Sequence, residues 1–163
     1  LLHSPIRRCG QTAARIGAGY QRDGVQPDLL GDDHDLGVPY LLDLDGLVAQ
    51  TRRYDLQGFV RAWFDGRLPA GVVQAAHDAA LDLAGVAARE LERTPAGGLS
   101  LLVSHDWNVL LLRESLLGLR HEDVGWLDYL DGVVMTRRGD TLRLHWRDIN
   151  KSLPVPLTTS SGR

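Results

Sequence analysis

The stretch SLLVSHDWNVLLLRE, residues 100 to 114, places a histidine and an aspartate between two apolar runs. The run ending at Val103 is too short for a helix and predicts a buried strand, whereas the apolar residues that follow recur at helical spacing. His105 and Asp106 therefore lie on a predicted strand-to-helix turn. In an open α/β sheet such turns lie at the carboxyl edge of the strands, where helix amides and the helix dipole favour anionic ligands. The pair is a candidate functional site.

A second turn of this kind is predicted at the start of the chain, in HSPIRR. The first two leucines predict the end of a strand, and residues 6 to 20 predict a helix. Ser4 is the expected N-cap of this helix and Pro5 its expected first residue. Arg8, in the first helical turn, offers a guanidinium fork that matches phosphate oxygens.

The two turns open into one crevice if their strands are neighbours in the sheet. Ser4, Arg8, His105 and Asp106 then converge with two helix N-termini. Arginine binds phosphoryl oxygens, histidine donates to them or accepts a proton, and aspartate acts as an acid or a base. This combination suits a phosphate monoester. Taken singly, each residue also fits an ordinary role as a solvated side chain or a helix cap.

The helices and strands that must position these turns are predicted from the spacing of apolar residues and from the positions of glycines and prolines. Residues 21 to 57 hold repeated glycines and prolines and predict an irregular insertion, of the kind that often covers a site. Helical patterns and a terminal hairpin, closed by RRGD, account for most of the remainder. The predicted helices are 59–64, 70–93 and 107–117, and the predicted hairpin strands are 133–136 and 141–146.

This order of elements predicts an α/β fold. We expect a mixed, mostly parallel sheet with helices on both faces, forming a three-layer sandwich over residues 1–150. Residues 151–163 are rich in Pro, Ser and Thr without periodicity, and predict a disordered tail.

Composition restricts the function further. The chain has 163 residues and a net charge of -3, which gives no general attraction to nucleic acid or to an anionic membrane. No apolar stretch has the length of a membrane span, and no signal peptide pattern is present. The single cysteine, Cys9, has no internal disulfide partner and is expected to be a buried thiol. We expect a cytoplasmic protein.

Two short acidic and histidine-containing segments could be taken for metal sites. They are DDHD at residues 32–35 and HED at residues 121–123. Neither has a second ligand pair at fixed spacing, so both are interpreted as solvated loops and no metal is expected. The His105–Asp106 pair also suggests metal-dependent phosphohydrolases of the HD type. Those are helical bundles, whereas this pair follows a predicted strand.

The two turns together resemble the histidine phosphatase superfamily, also called phosphoglycerate-mutase-like. The segment SPIRRCGQTAARI is similar to the family's SPxxRxxQTA segment, and LLVSHDWNVLLLRE is similar to its second histidine motif. The order and separation of the two motifs also fit. The resemblance covers most of residues 1 to 147 and implies the fold of that family.

The resemblance also implies roles for individual residues. Arg8 matches the arginine that clamps the phosphate, and His105 matches the second histidine, which binds the phosphoryl group and stabilises its charge. Ser4, in the turn before that arginine, is expected to help bind phosphate. Asp106 resembles the aspartate that protonates the leaving group, and Asp35 in the insertion is the second choice for this acid.

The function implied is hydrolysis of a small-molecule phosphate monoester through a phosphohistidine intermediate, without metal or cofactor. The expected partner is a small phosphate ester, and neither nucleic acid nor a membrane. Two alternatives stay open: a member that binds a phosphate ligand or acts as a scaffold without catalysis, and a phosphotransferase of the mutase type.

One feature of the family is missing from the sequence. The family's nucleophile is the histidine of an Arg-His-Gly triplet, and the chain contains no such triplet. His3 belongs to the segment that matches SPxxRxxQTA, so it does not replace that histidine. We expect that a strand and helix carrying the triplet precede Leu1 and that their absence leaves a gap or an unpaired edge in the sheet. A degenerate family member is the alternative.

Overall fold

A computed structural model describes residues 1–155, which form helices around two separate three-stranded sheets. The elements are β1 (Leu2–His3), α1 (Arg7–Arg22), β2 (Gly31–Asp32), a 3₁₀ turn (His34–Leu36), α2 (Leu44–Arg53), α3 (Leu56–Phe64), α4 (Ala76–Arg93), β3 (Leu102–Val103), α5 (Asp106–Leu110), a π-helical turn that continues it (Leu111–Leu116), α6 (His121–Val124), β4 (Val134–Arg138), β5 (Thr141–Trp146) and β6 (Ile149–Pro154).

The first sheet is parallel, with strand order β2-β1-β3. Leu2 pairs with Gly31 on one side and with Leu102 on the other. The condition for the two strand-to-helix turns to share a crevice, neighbouring strands, is therefore met. β1 has a partner on each side, and within the described residues β2 and β3 are the two edges of this sheet.

The second sheet is antiparallel, with order β4-β5-β6. The predicted hairpin is confirmed: Arg138 pairs with Thr141, and Gly139 in the turn has a φ of 57°. Leu142 and Leu144 are fully buried in the main core, so this sheet covers the helices and does not extend the parallel sheet. The α/β class is thus confirmed, and the parallel and antiparallel strands form two separate sheets in place of the one mixed sheet that we expected.

The predicted start of the disordered tail is also wrong. Residues 151–154 belong to β6, which pairs with β5 along its whole length. The segment has little hydrophobic alternation because it is an edge strand with mostly exposed side chains, and Pro154 stands at its end, where a missing amide is tolerated. The rest of the predicted tail, residues 156–163, lies outside the described residues.

The insertion predicted as irregular contains regular structure. β2 joins the parallel sheet, and α2 begins where the Asp43 side chain accepts a hydrogen bond from the Asp45 amide at 3.1 Å. The long helix predicted from residue 70 begins only at Ala76. The residues before it run beside the insertion, where the Leu42 amide donates to the Val72 carbonyl at 3.1 Å.

The main core lies between α3, α4, the π-helical turn and β5. Aromatic pairs extend it: Phe59 stacks on Trp107 with ring centroids 5.4 Å apart, and Tyr40 packs on Trp63 at 4.7 Å. A smaller cluster, Leu2, Leu36 and Val86, joins β1 and the 3₁₀ turn to α4. These contacts hold β1 and the 3₁₀ turn against α4.

Within residues 1–155, every helix is too short or too polar to cross a membrane.

Candidate active site

The ends of β1 and β3 bring the two predicted turns into direct contact. Ser4 Oγ lies 2.7 Å from His105 Nε2, and Arg8 Nη2 lies 2.9 Å from His105 Nδ1. Ser4 is fully buried and His105 is 5% exposed, whereas Arg8 is exposed to solvent. The predicted meeting of Arg8, Ser4 and His105 is therefore observed. His105 forms the inner wall of the site and Arg8 its solvent side.

These contacts determine which nitrogen of His105 carries the proton. A guanidinium only donates hydrogen bonds, so His105 Nδ1 accepts from Arg8. The proton of the neutral ring then resides on Nε2, which donates to Ser4 Oγ. Ser4 Oγ also accepts from the Ile6 amide at 3.3 Å. The serine hydroxyl thus faces two donors and no base, so the contacts do not activate it as a nucleophile.

The prediction that Ser4 caps α1 is wrong in its details. The helix begins at Arg7, with Ile6 at the N-cap position and no side-chain cap, and Pro5 precedes the helix. Ser4 instead forms a hydrogen bond with His105, because the turn buries its hydroxyl beside the imidazole of the neighbouring strand-to-helix turn.

The environment of His105 favours the neutral imidazole. Burial lowers the pKa of His105, and the positive charge of Arg8 lowers it further, while the negative charge of Asp106 acts in the opposite direction. A phosphate dianion beside the ring would add negative charge and favour its protonation. Protonation would convert Nδ1, which accepts from Arg8 in the neutral ring, into a second donor.

Sequence reasoning did not identify the hydrogen bonds that join the start of α5 to the 3₁₀ turn. Asn108 Nδ2 donates to the carbonyls of Leu36 at 3.1 Å and Gly37 at 2.9 Å, and Ser104 Oγ donates to the Leu36 carbonyl at 2.6 Å. These bonds hold the 3₁₀ turn against the start of α5. The available signal was the polar Asn108 on a helical face whose neighbours are apolar.

Cys9 lies on the inner side of the same site. Its thiol is 3.4 Å from the Ser104 carbonyl, to which it donates, and 3.8 Å from His105 Nδ1. The residue is 3% exposed, which confirms the predicted buried thiol. Burial raises the pKa of Cys9 despite the nearby charge of Arg8, so the protonated thiol is favoured.

The two candidate acids occupy different surroundings. Asp106 is exposed at the first position of α5, and its Oδ1 accepts from the Trp107 amide at 3.0 Å. Burial raises the pKa of Tyr40, and the charge of Asp106 raises it further. Asp35, the second choice, accepts a hydrogen bond from Arg89 on α4 at 2.8 Å. Asp106 is thus the carboxylate whose charge acts on His105.

An ionic cluster outside this site corrects one sequence interpretation. The HED segment was interpreted as a solvated loop, but His121 is 5% exposed and Glu122 bonds to Arg61, with Nε to Oε1 at 2.6 Å. Hydrogen bonds from Arg61 lower the pKa of Glu122 to about 2. Glu114, His121 and Glu122 lie close enough to hold a metal ion, but the Arg61 guanidinium bonds to both carboxylates and supplies the positive charge.

The DDHD segment forms a turn. Asp33 accepts from the Asp35 amide at 2.8 Å, and His34 is exposed, with its Nε2 4.0 Å from Asp32 Oδ2. The segment therefore serves mainly to shape the 3₁₀ turn beside the candidate active site.

The lowered pKa of His105 predicts a specific pH dependence of stability. As the pH falls below about 6.5, the unfolded chain binds a proton that folded His105 resists, so the free energy of unfolding should decrease. His105→Asn should lose less stability over this range. Chemical denaturation at about pH 7.5 and about pH 5.5 measures both proteins, and the remaining histidines cancel in the comparison. An equal loss in the two proteins would contradict the assigned environment of His105.

Comparisons with known proteins give no relative of this chain. No protein-family model, no curated protein and no solved structure matches it. Its function must therefore be inferred from its own motifs and geometry.

Proposed function

We propose that this protein binds the phosphate group of a small-molecule phosphate monoester at Arg8 and His105 and takes part in its hydrolysis. The proposal follows the likeness of its two turns to the histidine phosphatase superfamily, and includes that family's sheet with helices on both faces. Neither metal nor cofactor is required in this scheme.

The 2.9 Å contact between Arg8 Nη2 and His105 Nδ1 supports the proposal most directly. It joins residues on two neighbouring parallel strand-to-helix turns, so that both side chains are within reach of one tetrahedral anion. Arg8 supplies a permanent positive charge that is open to solvent. His105 supplies a second donor once the incoming anion favours its protonation.

The roles in the reaction come from the family likeness. A histidine nitrogen forms a bond to phosphorus as the ester P–O bond breaks, and the leaving oxygen takes a proton from Asp106. Water then attacks the phosphohistidine and releases inorganic phosphate. Arg8 and His105 stabilise the charge on the transferring phosphoryl group, which is usually a large contribution to catalysis. The nucleophilic histidine is not His105, since the likeness assigns His105 to charge stabilisation.

A second candidate function is phosphate binding without turnover. Two observations favour it: the chain has no Arg-His-Gly triplet, and both ring nitrogens of His105 are already bonded within the protein. Such a protein would keep the anion site and use it for recognition. The two candidates share the binding step and differ only in the covalent step.

Titration with orthophosphate and with vanadate tests the shared binding step. We expect Arg8→Ala to weaken binding about tenfold or more, because it removes a charge-assisted hydrogen bond. Arg7→Ala is the matched control, since Arg7 is also exposed in the first turn of α1 and makes no described side-chain bond.

Release of nitrophenol from p-nitrophenyl phosphate separates the two candidates. Binding with turnover supports the phosphatase, and binding without turnover supports the recognition protein. Failure of both anions to bind, or equal effects of Arg7→Ala and Arg8→Ala, would overturn the site itself.

A further inference from the structure

One face of α1 carries a line of arginines that starts at the candidate active site. Arg8, Arg15 and Arg22 are seven residues apart and all exposed. Seven residues are close to two helical turns, so the three side chains share a face and the line is about 21 Å long. The helix has no acidic residue, although the whole chain has a net charge of -3. Positive charge is thus concentrated on this face.

The outer two arginines have no internal counter-charge. Among residues 1–155, Arg15 and Arg22 take part in no ion pair, whereas Arg61, Arg89 and Arg93 each bond to a carboxylate. Their side chains also make no hydrogen bond within that range. A surface arginine without a partner remains available to an external anion.

Two open grooves follow this line of arginines. The first, of about 460 Å³, extends from Arg8 to Arg15 and includes Gln11 and Thr12. The second, of about 490 Å³, extends from Arg15 to Arg22 and includes Gln21. The grooves share Arg15 and so form one path away from the active site. The side-chain amides of Gln11 and Gln21 in this path add donors for phosphate oxygens.

The lining of the grooves distinguishes between classes of polyanion. The residues that line them include no aromatic side chain. Proteins that bind single-stranded nucleic acid stack bases on such side chains, and each stack contributes about 1–3 kcal/mol. A ligand that offers phosphates and no bases fits this surface better.

We propose that α1 binds a chain of phosphoryl groups, so that the substrate of the candidate active site carries further phosphates beyond the one held by Arg8 and His105. This inference rests on the proposed function of that site. Arg15 and Arg22 then determine specificity for an oligophosphorylated substrate and do not act on the reacting phosphorus.

Long-chain inorganic polyphosphate and orthophosphate, titrated at the same low ionic strength, test this inference. We expect polyphosphate to bind more tightly, and Arg15→Gln and Arg22→Gln each to weaken polyphosphate binding about three- to fivefold while leaving orthophosphate binding unchanged. Arg52→Gln is the matched control, because Arg52 is also exposed in the last turn of a helix and lines neither groove.

The outcomes separate this inference from the proposed function. If orthophosphate binds through Arg8 but polyphosphate binds no more tightly, or if Arg15→Gln and Arg22→Gln behave like Arg52→Gln, the inference is overturned and the active site remains. Tighter binding of an oligonucleotide than of polyphosphate also overturns it. If neither orthophosphate nor polyphosphate binds, the proposed function fails as well.

Discussion

Alanine in place of His105 is expected to lower the turnover of a small phosphate monoester about 100- to 1,000-fold in the full-length protein. The imidazole lies 2.9 Å from the Arg8 guanidinium, and in the proposed function both groups bind the phosphoryl oxygens. Removing one preorganised donor from a charge-developing transition state has an effect of this size. Steady-state measurement of kcat and kcat/KM provides the test.

His105→Ala also removes the hydrogen bond between His105 and Ser4, so a control must distinguish a loss of structure from a loss of catalysis. His105→Gln keeps hydrogen-bonding groups at this position, so circular dichroism should show an intact fold while turnover stays low. Unchanged turnover in His105→Ala would remove His105 from the mechanism.

Asp106→Asn should slow the hydrolysis of esters with poor leaving groups more than that of esters with good ones, since only poor leaving groups need a proton. Equal slowing of both would transfer the acid role to another residue, with Asp35 the next to test.

Arg61→Ala is expected to reduce the free energy of unfolding by about 3 kcal/mol. The Arg61 side chain is 13% exposed and bonds to Glu114, whose side chain is 7% exposed. Without the guanidinium, the Glu114 carboxylate keeps only its contacts with His121 in a poorly solvated position. Removing one partner of a buried ion pair is costly for this reason. Equilibrium denaturation in urea measures the change.

Arg67→Ala is the matched control for Arg61→Ala. Arg67 pairs with Asp65 at 3.1 Å on the surface, and both side chains are well exposed, so we expect a change of about 1 kcal/mol or less. The double variant Arg61→Leu/Glu114→Leu removes the buried carboxylate together with its partner, while the more exposed Glu122 keeps its ion pair with Arg120, so much of the stability should return. A loss for Arg61→Ala no larger than for Arg67→Ala would show that the cluster does not stabilise the fold.

The parts of the fold that local patterns determine could be predicted from the sequence. The apolar run before His105, the helical spacing after Pro5 and the tight turn at Gly139 each depend on residues close together in the chain. β2 has only two residues and no apolar alternation, and its place in the sheet depends on the distant β1. β6 likewise pairs as an edge strand with few buried side chains, so nothing in its own sequence distinguishes it from a loop.

The candidate active site could be predicted to a similar extent. The proximity of Arg8 and His105 could be predicted, because each residue follows a predicted strand and the two strands are neighbours in the sheet. The contact that replaces the Ser4 cap depends on burial of the serine beside an imidazole from another turn, which no local rule describes. The hydrogen bonds from Asn108 to the Leu36 and Gly37 carbonyls depend on the path of the insertion past α5, and this path is set by tertiary packing.

The long sequence separation of the contacts at the candidate active site has a consequence for folding kinetics. Ser4 and His105 are 101 positions apart, so their contact closes a loop of most of the chain and costs conformational entropy before it stabilises anything. The antiparallel sheet needs only residues 134–154 and can form much earlier. The candidate active site should therefore assemble in the last steps of folding. A phosphate analogue added during refolding should stabilise the native state without accelerating its formation, because the transition state does not yet contain the site.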